Sequence, residues 1–248
     1  MRPPDGSAGG IFTTVTTDPL ALAQEVDRAT ARFLDTATTL TDANVLEPSL
    51  LPDWTRGHVL AHVARNADSL INLLTWARTG VETRQYANPG DRDAGIAAGA
   101  SRPIAEQIAD VKSASDRFAE ACANQPADAW AAVLADAGPA VGIVWRRLRE
   151  VEVHHVDLAA GYTWRDWPES FSHRLLHELI SVRRGGTPPA LWLRADDLSH
   201  PLQLGDGTPT VTVTGRAPDL AAWLAGRSNG VGLGVDPAGD LPVIPDWM

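Results

Sequence analysis

Leu20, Val26, Phe33, Leu34 and Leu40 recur at intervals that place them on one side of an amphipathic helix. Asp18-Pro19 marks its start, with a carboxylate to accept amide protons and a proline where no amide is needed. A connection follows from Thr41 to Pro52, with a short helical turn around Ala43-Asn44-Val45. Thr55 then caps a second long helix, which reaches Arg78 and is closed by Thr79-Gly80. Val59, Val63, Leu70, Leu73, Leu74 and Ala77 mark its inward side. From Val81 to Gly99 the pattern breaks around Asn88-Pro89-Gly90, and this irregular stretch is placed to border a pocket. Pro103 opens a third long helix on Ile104, Ile108, Val111, Ala114 and Phe118. Pro126 restarts a short helix through Trp130 and Leu134, and a fourth long helix runs from Val141 to Ala160 before Gly161.

Beyond Trp164-Arg165-Asp166-Trp167-Pro168 the texture changes. Phe171 to Arg184 reads as one helix. Ala190–Ala195, Pro201–Leu204 and Thr210–Thr214 read as short strands, with Gly205-Asp206-Gly207 as a hairpin turn between the last two. Pro218 starts a helix on Leu220, Ala221, Trp223 and Leu224. The glycine-rich Gly230–Gly234 lacks the strand-to-helix setting of a dinucleotide fingerprint and carries no phosphate role. The expected fold class is therefore α+β: a four-helix bundle over residues 11–165, then a small α+β domain with a short sheet over residues 166–248.

Composition narrows the function. The 248 residues are 44% hydrophobic and 21% charged, ordinary for a globular protein with a buried core. A net charge of −10 argues against nucleic-acid or anionic-membrane partners, which reward a basic surface. No stretch holds the run of apolar residues that spans a bilayer or drives secretion, so a cytoplasmic location is expected. The single Cys122 excludes an intrachain disulfide and a cysteine-based metal cluster, and it has no basic neighbour to activate it. Any thiol chemistry needs a thiol from outside. Oligomeric state is expected to be a monomer or weak homo-oligomer.

Metal-ligand spacing is the main chemical signal. Residues four apart on a helix share a face, so His58 with His62, and Glu150 with His154, can each direct two donors at one point. Two such helices side by side would give the histidine–carboxylate set of an open zinc site. The bland reading is a pair of packed or solvated histidines, since such spacings are common. His173 and His177 repeat the spacing without a third ligand, which favours a structural role.

The strings Leu51–His58, Ala61–Ala67, Arg149-Glu150 and His154–Leu158, with Asn72–Gly80 and Ala225-Gly226-Arg227, resemble those of the mycothiol-dependent maleylpyruvate isomerases. That family joins a metal-binding four-helix domain of the DinB type to a small α+β domain. The resemblance selects His62, Glu150 and His154 as ligands of a divalent metal, with zinc as first choice, and gives His58 and His155 supporting roles. Asp157 could hold an imidazole proton of His154, and Glu152 faces away, as a surface or ion-pair residue. The resemblance also gives Arg227 a part in binding substrate or thiol. The alternative for Arg227 is a helix-terminal arginine satisfying the last carbonyls. Arg78, Arg84 and Arg149 are weaker candidates for clamping carboxylates.

The implied reaction converts maleylpyruvate, a small dicarboxylate, to fumarylpyruvate with mycothiol as cofactor. A thiolate adds to the conjugated system, the bond rotates while single, and elimination returns the trans isomer. A metal that deprotonates the thiol supplies that nucleophile at neutral pH. Two other readings share the scaffold: a different mycothiol-dependent transferase, and a metal-binding module without catalysis. The same donor set also suits nickel, cobalt or iron.

Overall fold

The computed structural model describes residues 18–135, 137–181, 187–245 and 247. Eight α-helices and six short strands follow one another among them: α1 (Pro19–Ala37), α2 (Asp42–Val45), α3 (Arg56–Thr79), α4 (Asp91–Ala100), α5 (Ile104–Ala123), β1 (Val133–Leu134), β2 (Gly138–Pro139), α6 (Gly142–Asp157), α7 (Glu169–Ser181), β3 (Leu191–Ala195), β4 (Leu202–Leu204), β5 (Val211–Gly215), α8 (Ala217–Leu224) and β6 (Gly234–Asp236). Arg184 lies outside the described residues.

The long helices begin and end where their cap residues say. The Asp18 carboxylate accepts from the Leu20 amide at 2.9 Å. Thr55 and His58 form a reciprocal capping box on α3, which closes at Gly80 in the left-handed region. The four long helices form a ring in which α1 packs on α5 and α6, and α3 packs on the same two. Leu22, Val26, Phe33, Leu60, Val63, Leu70, Val111, Phe118, Leu148 and Val151 fill its centre. The buried stripe of α1 thus starts at Leu22, while Leu20 in the first turn is 51% exposed.

Three local expectations are corrected. Part of the stretch from Val81 to Gly99 is helical, because α4 occupies its second half behind the positive-φ Gly90. The Trp130–Leu134 segment is not a helix; a 3-10 turn at Ala129–Ala131 leads into β1, paired antiparallel with β2. The third concerns Gly205-Asp206-Gly207. It does not fold β4 back onto β5, because both strands pair with β3 on opposite sides, β4 antiparallel and β5 parallel, in the order β4-β3-β5-β6. Gly205 has φ +72°, and a Cβ there would stand 2.6 Å from the Pro189 carbonyl, so the glycine permits close approach to the chain entering β3.

In β3, Leu191, Leu193 and Ala195 are buried and alternate with outward Trp192 and Arg194. α8 packs on β3 and β5, and α7 packs on β4 and on α8. The 3-10 turn Trp164–Asp166 leads from the bundle to these elements, with Trp164 Nε1 donating to Asp219 Oδ1 of α8 at 2.9 Å. No helix among the described residues is long and apolar enough to cross a membrane.

Candidate metal centre

α3 and α6 lie side by side, and each turns one polar face toward the other. His62 Nε2 stands 2.9 Å from Glu150 Oε2, and His154 Nε2 stands 3.4 Å from the same oxygen. The donor atoms of these three residues all lie within 4.8 Å of one another. A tetrahedral zinc with bonds near ~2.0–2.2 Å holds its ligands ~3.3–3.5 Å apart, so small side-chain movements suffice to admit an ion. The other pair predicted from spacing does not converge: His58 Nδ1 is 2.8 Å from Thr55 Oγ1 in the capping box.

Electrostatics suits the donor set to a cation. Burial, with the charge of His154, pushes His62 down to about 4, so its imidazole is neutral and its lone pair available. Burial alone would raise Glu150, but hydrogen bonds and charge from His154 and His62 hold it well below the usual carboxylate range. His154 Nδ1 is 2.8 Å from Asp157 Oδ2, which fixes the ring with Nε2 facing Glu150. Burial disfavours the charged form of His154, but Asp157 and Glu150 outweigh it and raise the value. His62 lacks such support: its Nδ1 is buried without a hydrogen-bond partner, while Trp54 packs against the ring at 5.5 Å.

The three side chains form one wall of a cavity of about 540 Å³. Leu51, Trp54, Leu70 and Trp247 supply apolar surface, and Gln85, Tyr86 and Arg92 come from the stretch expected to border a pocket. Asn66, one turn after His62, accepts from Arg147 Nη1 at 3.0 Å. Arg147 is fully buried, also donates to the Val63 carbonyl, and is pushed down to about 10 by burial. Four arginines, Arg92, Arg146, Arg149 and Arg227, line the cavity against the carboxylates of Glu150 and Glu178. In a chain of net charge −10, this cavity is locally cationic.

Arg227 reaches the site from beyond α8. Its Nε and Nη2 donate to Asp157 at 3.0 and 2.9 Å, and Nη1 donates to the Ala225 carbonyl at 2.8 Å. Both expectations for this residue have a counterpart in the geometry, since it satisfies a terminal carbonyl and also lines the cavity. Arg149 pairs with Glu178 and lies over the Trp247 ring at 5.2 Å. Arg78 and Arg84 are exposed and do not line the cavity. Sequence reasoning passed over Arg92 and Arg146, which no spacing rule separates from surface arginines.

A chain segment of 134 residues carries the family signature: a family profile described as Mycothiol maleylpyruvate isomerase N-terminal domain matches residues 26–159. The chain belongs to that family. Two solved structures agree with the assignment. A mycothiol-dependent maleylpyruvate isomerase superposes with TM-score 0.81 at 32% identity, covering 93% of this chain and 96% of that one. A histidine-to-alanine variant of a mycothiol-dependent maleylpyruvate isomerase superposes at 0.83 with the same identity and shares. No curated protein matches.

Within the family fold, Glu152 and His155 have structural partners. Glu152 is not a surface residue: it is buried, pairs with Arg32 at 2.6 Å and accepts from the Tyr162 hydroxyl at 2.6 Å. Its face of α6 is covered by α1 and by the chain after α6. His155 stacks on Tyr162 with centroids 3.6 Å apart, and its Nε2 is 2.8 Å from Thr36 Oγ1. His173 Nε2 lies 3.3 Å from Asp197 Oδ2, out of line for a hydrogen bond. Cys122 is buried, and burial pushes its thiol up to about 12, which removes it as a nucleophile at neutral pH.

Proposed function

We propose that this chain catalyses the mycothiol-dependent cis–trans isomerisation of maleylpyruvate to fumarylpyruvate, with His62, Glu150 and His154 holding a divalent metal, zinc first among the candidates. The observation that carries the reading is the meeting of two imidazole nitrogens and one carboxylate at the wall of a cationic cavity. Bound there, a divalent metal lowers the pKa of a thiol and so supplies the nucleophile that makes the substrate's double bond temporarily single.

The chain's own residues do the rest. Asp157 keeps the His154 proton on Nδ1 and so keeps the Nε2 lone pair directed at the centre. Glu150 stays ionised, which offsets part of the cation's charge without adding a proton to the site. Arg227, held against Asp157 in a fixed orientation, presents its remaining N–H groups to negative charge that develops on the dicarboxylate. Trp54, Leu51 and Trp247 exclude water from the walls, which strengthens each of these interactions.

The test combines elemental analysis with an ultraviolet assay of maleylpyruvate. Near-stoichiometric metal, with turnover that requires both mycothiol and metal, is the expected result. Chelator treatment should abolish turnover, and added zinc should restore it. Accumulation of a stable thiol adduct instead of fumarylpyruvate would identify a transferase on the same scaffold. Metal binding with no thiol-dependent turnover would reject an enzymatic role.

A further inference from the structure

Four arginines face the cavity, and three have partners on the chain. Arg227 is bidentate with Asp157, Arg149 pairs with Glu178, and Arg92 pairs with Asp93 at 2.7 Å while lying over the Trp54 ring. Arg146 differs. Among the described residues it makes no hydrogen bond or ion pair, and its Nη2 is shielded from solvent without any acceptor. The charge of Glu150 favours this guanidinium, but burial and the like charge of Arg149 outweigh it, and a desolvated cationic donor without a hydrogen bond is a cost that persists in a fold where a ligand completes the pairing.

Its placement matters as much as its lack of a partner. Arg146 and Glu150 are four residues apart on α6, one above the other on the face that looks into the cavity. The rise between them is about 6 Å. A carboxylate seated on the Arg146 fork would therefore set the carbons that follow it beside the metal-ligand cluster. The guanidinium is planar and can donate two parallel N–H bonds to both oxygens of a carboxylate, a geometry that fixes direction as well as position.

We infer that Arg146 is the anchor for the carboxylate of the electrophilic substrate, and that it selects unsaturated acids whose double bond lies directly beside that carboxylate. This assignment rests on the reading of the site as a thiol-dependent isomerase centre. It separates the arginine work in the cavity: Arg227 and Arg149 are held by the protein's own carboxylates, while Arg146 is matched by the ligand's.

The experiment compares metal-loaded full-length wild type with Arg146→Gln and Arg146→Lys. Each is assayed for maleylpyruvate turnover with mycothiol, for metal content, and for calorimetric binding of succinate, a dicarboxylate with no double bond to react. Because Arg146 has no hydrogen-bond or ion-pair partner among the described residues, its replacement orphans no carboxylate there, and both variants should fold and bind metal like wild type. The expected result is a KM for maleylpyruvate and a Kd for succinate at least tenfold higher in Arg146→Gln, with metal content and the KM for mycothiol unchanged. Lysine should recover only part of the loss. Values within twofold of wild type for both carboxylates would overturn the assignment, and so would a loss of affinity that merely follows a loss of metal. If wild type fails to isomerise maleylpyruvate yet binds succinate through Arg146, the isomerase reading falls and the anchor stands. If wild type isomerises and Arg146→Gln does so equally well, the anchor falls alone.

Discussion

Asp157 touches both halves of the candidate site: one carboxylate holds the ring of His154 and both Nε and Nη2 of Arg227. It is almost wholly buried, so neither partner can be replaced by water. Asp157→Asn keeps the shape but removes the charge that stabilises the N–H of His154 and the guanidinium. Loss of such a support to a ligating imidazole typically costs about 10–100-fold in metal affinity. We expect a loss in that range for Asp157→Asn, measured by competition with a chromophoric chelator; unchanged affinity would show that His154 is oriented by its packing alone. Arg227→Met should leave stoichiometric metal at saturating zinc but lower kcat by roughly tenfold or more, as expected for loss of a donor to developing charge. His62 itself was legible in the sequence through its motif. The dependence of His154 on Asp157 could be suspected from their spacing, but the link from Asp157 to Arg227, 70 positions away, could not.

The elements owe their positions to close contacts as much as to caps. The end of α4 crosses the start of α3 at Gly57, where a Cβ would lie 1.9 Å from the Ala100 carbonyl oxygen and 2.7 Å from Val45 Cγ1. Backbone cannot yield there as a flexible side chain would. Gly57→Ala should therefore push α3 and α4 apart at a cost of ~1–3 kcal/mol or more. For a chain of this size we expect a melting temperature lower by roughly 3–10 °C, and an unchanged midpoint in calorimetry would refute the contact. Because His62 lies little more than one turn beyond Gly57, the same strain is transmitted toward the site. The long helices were readable because each couples a 3.6-residue apolar period to a terminal signal, as with Thr55 and Gly80 on α3. α4 was not, since Asp91–Ala100 is rich in alanine and glycine and buries little beyond Ile96, Gly99 and Ala100.

At the scale of the whole molecule, buried histidines link folding to pH. Burial holds His62 at about 4 and, with Arg32 nearby, His155 at about 3, whereas an unfolded chain would protonate both near pH ~6.5. Between pH 6.5 and 5 the unfolded state therefore binds more protons than the folded one, and stability falls as pH falls. His154, whose value is raised by Asp157 and Glu150, acts in the opposite sense, since its folded form holds a proton more firmly than the unfolded chain, and it offsets part of that slope. Each extra proton contributes roughly 1.4 kcal/mol per pH unit. Urea unfolding of chelator-treated protein should show a lower midpoint at pH 5 than at pH 6.5. His155→Gln should reduce that difference by about half, because one of the two buried neutral rings is gone; an equal difference in both proteins would contradict this account. Local order and distant order separate along the same line. Periodicity, caps and ligand spacing act within a few turns of chain, so the helical bundle, the later change to strands and helices, and the residue types able to hold a metal can be read from the order of residues alone. It took the closed fold to set β4 and β5 on either side of β3, to bury Glu152 against Arg32, and to leave Arg146 the cavity arginine without a partner among the described residues. Those facts depend on which surfaces meet across large separations in sequence, and a pairing, or the lack of one, exists only once the chain has closed around it.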